Sequence, residues 1–202
     1  MKFIITLSIF FFAVIIHEYA HGWIAWKLGD STAKAAGRLT LNPLAHIDPL
    51  GTIFLPLILL VSNSPIVFGW AKPVPVDFHN LDNPKKDMVW VGLAGPTANV
   101  LFAIFLSFIL KLSMGASPLF LAVLTSGILI NLVLAIFNML PIPPLDGSRV
   151  IMGILPVDLA RRYAKLEPYG FIIIFGLLYL GVIRSVIWPL VMHFSQLLGV
   201  SL

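Results

Sequence analysis

Cysteine is absent from all 202 residues, which excludes disulfides and thiolate metal ligands and leaves the redox compartment unreadable. Charge is scarce as well: Asp, Glu, Lys and Arg make up 11% of the residues, where ordinary globular chains carry about a quarter. With 59% hydrophobic residues and a mean hydropathy of +0.99, there are too few polar groups to wet a surface. A soluble enzyme, a disordered tail and a nucleic-acid-binding module are thereby excluded, and the solvent is lipid. The charges that remain are biased, 13 Lys+Arg against 9 Asp+Glu, for a net +4 and a pI near 9.5. In a membrane chain such an excess belongs to loops facing the cytoplasm.

What is there is long apolar runs. Four are long enough to cross a hydrocarbon core of about 30 Å at 1.5 Å per helical residue: Phe3 to Trp26, Met88 to Leu110, Pro118 to Leu140 and Tyr169 to Val191. A fifth, Leu50 to Val61, is short and holds Pro56, which suits a re-entrant segment. The expected fold is an all-α polytopic membrane protein of about four transmembrane helices plus a re-entrant or β-like membrane segment, with residues 1–202 forming one membrane-embedded domain. Lys2 followed by Phe3 to Ile16 also has the outline of a signal peptide, but no small-x-small cleavage site follows and removal would discard His17 and Glu18. Basic residues bear on the topology. If Leu50 to Val61 spans, they divide 8 against 5; if it dips in and returns, 10 lie on one side and only Lys2, Lys111 and Arg184 on the other. The positive-inside rule selects re-entrance, with the amino terminus outside.

Ionisable groups inside a spanning helix are costly unless paired, so His17, Glu18 and His21 in the first run require an explanation. His17 and His21 are four apart and share one helix face, so both imidazoles can reach one zinc, and Glu18 is near enough to take a proton from water without being a ligand. The plainer alternative is two packed histidines satisfied by carbonyls, with Glu18 reaching toward an interface. Catalytic zinc takes a third protein ligand, for which His46, His79, His193 and the acidic residues are candidates. Asp146 stands out because Pro141, Pro143 and Pro144 break the helix just before it, and broken backbone at membrane depth lines a cavity or is buried in protein. Re-entrance of Leu50 to Val61 puts Asp146 on the same membrane side as the carboxyl end of the first helix; a spanning segment would put it opposite.

The segments His17-Glu18-Tyr19-Ala20-His21, Gly95-Pro96-Thr97-Ala98-Asn99 and Asn138 to Gly147 together resemble the three signature stretches of the site-2 proteases, zinc metalloproteases that cleave other proteins within the membrane. The resemblance runs from about Phe11 to Gly147. It implies one Zn2+ held by His17, His21 and Asp146, Glu18 as general base, and Asn138 in contact with substrate near the scissile bond. Many relatives add a helix before the motif helix and a PDZ or CBS domain, neither of which occurs in these residues. Gly69 to Val76 also matches small relatives; its alternating prolines keep the backbone extended, so Lys72, Val74 and Val76 either offer an edge to an unwound substrate or simply end the re-entrant loop. Asn99 has two readings, substrate contact or a hydrogen bond across a helix interface. His46 and Asp48 read as loop structure, and His79 and His193 carry no assignment. The expected function is an intramembrane zinc endopeptidase in the cell membrane, its site facing the cytoplasm, acting on transmembrane protein substrates weakened by Gly, Pro or Asn. A zinc transporter or sensor is the alternative, and clustering of ionisable residues toward one side argues against a path through the bilayer.

Overall fold

The computed structural model describes residues 2–62, 71–113 and 115–200. Helix α1, Lys2–Lys27, is about 39 Å long at 1.5 Å per residue, enough to cross the hydrocarbon core. It stops where Gly29 adopts φ 105°, a left-handed conformation that side-chain-bearing residues avoid. The Lys27 and Lys34 ammonium groups sit 4.8 and 4.3 Å from the Trp26 ring, the mix of aromatic and basic side chains that marks a membrane–water boundary. A short α2, Thr32–Ala35, and a 3-10 turn, Pro43–His46, follow.

The fifth apolar run is where topology is decided. It forms a π-helical stretch, Pro49–Phe54, leading into α3, Leu55–Val61; the Asp48 carboxylate caps the former by accepting from the N–H groups of Leu50 and Gly51 at 3.0 and 2.7 Å. The Lys72 N–H then donates to the His46 carbonyl at 2.9 Å, so the chain leaves and returns at one point. Next, the Asp82 N–H donates to the Leu28 carbonyl at 2.8 Å, and α4, Pro84–Leu112, begins beside the end of α1. The two ends of the excursion therefore lie together, at the end of the bundle where α1 closes and α4 begins. Its described part is helical, and no β-strand occurs among the described residues; Gly69 and Trp70 of the proline-rich motif lie outside them.

Helix α4 opens on Pro84, whose missing N–H costs nothing in a first turn, and Asp87 reaches back to accept from the Asn83 N–H at 2.7 Å. Helix α5, Pro118–Asn138, opens likewise on a proline behind a Ser117 cap. The two run antiparallel, and α1 lies antiparallel to α4. Without water to drive apolar contact, the three are joined by small and amide-bearing residues: Asn99 on α4 donates to the Ala13 carbonyl and to Asn131 Oδ1 at 3.1 and 2.7 Å, and Asn131 on α5 donates to the Gly127 carbonyl at 2.8 Å. Beyond α5, Pro141 to Pro144 bar a helix until α6, Asp146–Ile154, and α7, Val157–Ala164.

The last apolar run departs from the expected single span. It splits into α8, Gly170–Tyr179, and α9, Val182–Leu197; the stretch Val157–Tyr179, which ends in α8, meets α9 at 76° across a break where Gly181 takes φ 72°. Leu190 on α9 shares a groove with Pro96 and Leu140, whereas the Leu198 carbonyl accepts from Ser107 Oγ at 2.6 Å, so α9 runs in the direction of α4. Arg184 in its first turn therefore falls on the Asp146 end of the molecule, a correction to the placement that a straight span over 169–191 demands. Among the described residues, three helices are long and apolar enough to cross a membrane, or four with the bent pair counted once, and large side chains such as Phe105, Phe108 and Phe171 face outward where only lipid can solvate them. The chain is an all-α, multi-pass membrane protein.

Candidate metal and catalytic site

His17 and His21 project from the carboxyl-terminal half of α1 toward α4, and Asp146 reaches them from the first position of α6. Their ligand atoms converge: His17 Nε2 is 3.0 Å and His21 Nε2 3.2 Å from Asp146 Oδ2, and the two Nε2 atoms are 3.0 Å apart. Three ligands at 2.0–2.1 Å around a tetrahedral zinc stand about 3.3 Å from one another, so these separations fit the ion. All three residues are largely withdrawn from solvent.

Proton accounting makes the case for a cation. His21 Nδ1 lies 2.7 Å from the Val91 carbonyl, an acceptor only, so Nδ1 carries the proton and Nε2 a lone pair. His17 Nδ1 lies 2.6 Å from Asn99 Oδ1. The Asn99 amide cannot be turned round, because its Nδ2 already donates to Ala13 and Asn131; its oxygen thus accepts from His17 Nδ1–H, and the His17 Nε2 lone pair also points inward. Asp146 Oδ2 is buried with no donor. Two nitrogen lone pairs and a carboxylate oxygen facing one another repel unless a cation lies between them, and Nδ1–H bonded to a carbonyl is the usual support for a metal-bound imidazole. The residues present therefore fit zinc.

The packing that permits this convergence depends on glycine. A Cβ on Gly95 would stand 2.6 Å from His17 Nε2 and overlap His21, so only glycine lets α4 approach the imidazoles. The adjacent Pro96 lies inside the helix without ending it.

Glu18, on the next position of α1, is half-buried and its Oε2 accepts from the Val74 N–H at 2.8 Å. This bond comes from the extended stretch 71–77, for which the sequence suggests an edge with open carbonyls. Those groups are in use: the Lys72 carbonyl accepts from Arg38 Nη2 at 2.7 Å, the Pro73 carbonyl lies 3.4 Å from the same nitrogen, and the Lys72 N–H is bound to His46. The Lys72 side chain is exposed, Val74 is buried over Gly22, and Val76 packs against the cluster of Ala25, Leu81 and Val91. Asn99 is wholly buried with both amide atoms engaged, which leaves it no face for a substrate and makes it a support of His17 instead. Asn138 is half-buried at the end of α5, its Nδ2 donating to the Leu134 carbonyl at 2.9 Å, and it is not part of the three-ligand cluster. His46 is fully buried and bonds the Thr40 carbonyl through Nε2 at 2.8 Å. Asn131, the Val91 carbonyl and Arg38 were not legible as site residues; Asn131 sits within an apolar run, which is the signal that could have drawn attention to it.

A bundle of apolar helices enclosing a His-His-Asp cluster, with a glutamate beside it, defines a polytopic membrane metalloenzyme. The profile of Peptidase family M50 matches residues 115–180. "Putative zinc metalloprotease YwhC" of Bacillus subtilis is 40% identical over 93% of this chain and 84% of its own length, and "Putative zinc metalloprotease Rip2" of Mycolicibacterium smegmatis is 30% identical over 98% and 76%. "Putative zinc metalloprotease MJ0611" of Methanocaldococcus jannaschii is 34% identical over 75% and 71%. No solved structure matches. The chain belongs to peptidase family M50, the site-2 proteases, and is a zinc metalloendopeptidase.

Proposed function

We propose that the chain hydrolyses peptide bonds in or near the transmembrane segments of other membrane proteins, with His17, His21 and Asp146 as the zinc ligands and Glu18 as the general base. The observation that carries this reading is the inward pair of imidazole lone pairs facing Asp146, with Glu18 on the next position of the same helix. Zinc held by these three ligands would supply a water of lowered pKa and a Lewis acid for the substrate carbonyl. Glu18 has one oxygen engaged by Val74, which leaves Oε1 to take the proton from water and return it to the departing amine. Because a helix hides its carbonyls in hydrogen bonds, the substrate must be unwound locally, which favours segments weakened by Gly, Pro or Asn. Asn138, at the broken end of α5, and Lys72, exposed beside the site, are the residues proposed to meet it. The site end also collects the basic residues, with Arg184 now among them and Lys2 and Lys111 opposite, which supports a site facing the cytoplasm in the cell membrane.

The test is reconstitution in lipid vesicles with single-span substrates. Glu18→Gln is expected to retain zinc and bound substrate while losing cleavage by about 10²-fold or more. Zinc loss in that variant makes Glu18 a ligand instead. Vesicle uptake of zinc without any cleavage would move the reading to a transporter.

A further inference from the structure

Arg38 is a buried cation with no anion beside it among the described residues: it is 8% exposed, and no carboxylate there lies within ion-pair distance of it. A guanidinium so withdrawn is strongly penalised unless its N–H groups are used, and here Nη2 is spent on the carbonyls of Lys72 and Pro73 while the buried Nε has no partner among the described residues. Those carbonyls belong to a strap that cannot be stitched into a sheet, because Pro73 and Pro75 have no N–H. It is held at single points instead: Lys72 N–H on the His46 carbonyl, Val74 N–H on Glu18 and Asp77 N–H on Asp30 Oδ2 at 2.8 Å. Val74 lies so close over α1 that a Cβ on Gly22 would stand 2.7 Å from its Cγ1, so the approach of the strap is tight at the turn following Glu18.

We infer that Arg38 is a positioning residue for Glu18: by gripping the Lys72 and Pro73 carbonyls it presses the strap onto α1, so that the Val74 N–H holds one carboxylate oxygen and turns the other toward the zinc site. The inference rests on the reading of Glu18 as general base. Arg38 touches no reacting atom, and its effect passes through two residues of backbone. Both carbonyls are served by the single terminal nitrogen Nη2, which the shorter lysine side chain does not carry to the same point, so the conservative exchange is only a partial substitute.

The full chain in lipid vesicles is compared as wild type, Arg38→Gln, Arg38→Lys, Val74→Pro, the double variant Arg38→Gln/Val74→Pro, and Glu18→Gln. Two measurements are made on each: hydrogen exchange at the Val74 amide, where one is present, and kcat with KM and zinc content. For Arg38→Gln the Val74 amide is expected to exchange about 10-fold faster or more, and kcat to fall about 10- to 100-fold with zinc content retained and KM nearly unchanged, as misplacement of a catalytic group does. Arg38→Lys regains part of that loss, and Val74→Pro, which deletes the N–H, loses a similar factor that Arg38→Gln does not deepen. Full kcat in Arg38→Gln, or multiplied losses in the double variant, overturns the inference. If Arg38→Gln does not fold, Arg38→Lys with unaltered exchange and unaltered kcat overturns it equally. A Glu18→Gln protein that still cuts overturns the assignment of Glu18 itself, and that failure is told apart because it appears with Arg38 intact.

Discussion

Asn99 does for His17 what the Val91 carbonyl does for His21: each holds a proton on Nδ1 and so turns the Nε2 lone pair inward. The two supports differ in how they are secured. A carbonyl inside a helix cannot rotate, whereas the Asn99 amide is oriented only by its bonds to Ala13 and Asn131. Asn99→Ala is therefore expected to weaken zinc binding by about 10- to 100-fold without unfolding the bundle, measured by competition with a chelator of known affinity. Undiminished affinity would deny Asn99 its part in setting the His17 tautomer. Gly95 is more restrictive, because its neighbours are the imidazoles themselves. Gly95→Ala is expected to expel the metal while helical content, followed by circular dichroism, stays at the wild-type level; full zinc occupancy in that variant would mean that α4 can retreat from α1 without cost.

At the scale of elements, the excursion over residues 47–71 and the strap that follows it share one role: they return the chain to the end it left and lay extended backbone over the site. Charge counting along the chain and the His46 to Lys72 bond agree that α1 and α4 meet at that end. Lys34→Cys and Lys85→Cys, introduced singly into this cysteine-free chain, are expected to react with an impermeant thiol reagent from the same face of a sealed membrane. Labelling from opposite faces would undo the topology and the convergence of α6 on α1 together. The fourth apolar run shows what periodicity and length cannot see. Its composition suits a span throughout, yet Gly181 in a left-handed conformation breaks it into two helices at a steep angle.

For the whole molecule, the site end is closed by Asp30, a fully buried carboxylate between α1 and the strap. Burial alone raises its pKa, but the Thr32 hydroxyl and N–H, the Asp77 N–H and the Asn80 amide all donate to it and together hold it below the ordinary value of 3.8. A carboxylate whose folded pKa is depressed contributes stability that is present above its unfolded pKa and is lost as the pH falls through the folded one. The protein is thus expected to lose thermal stability below about pH 4, and Asp30→Asn to start lower at pH 7 and fall less steeply on acidification. A scan of unfolding temperature against pH in detergent checks this; parallel curves for the two proteins would show that Asp30 does not carry the acid response.

Much of this protein can be read without coordinates, because a bilayer leaves a chain few options. Backbone polar groups in hydrocarbon must be satisfied within helices, so three apolar runs become α1, α4 and α5 almost at the boundaries that hydropathy suggests, and ionisable residues on such a helix mark a site before any geometry is known. The four-residue spacing of His17 and His21 is local, and helix pitch alone puts them on one face. Tertiary structure was needed wherever the deciding contact lies far along the chain. Asn99 could as well have faced a substrate, until its partners on α1 and α5 buried it; residues 72–76 could have offered an open edge, until Arg38, His46 and Glu18 took their hydrogen bonds. Such bonds join residues from 26 to 86 positions apart, as for Lys72 with His46 and Asn99 with Ala13, and no periodicity spans those distances. Composition and spacing decide which groups must be paired, and only the folded chain decides with what.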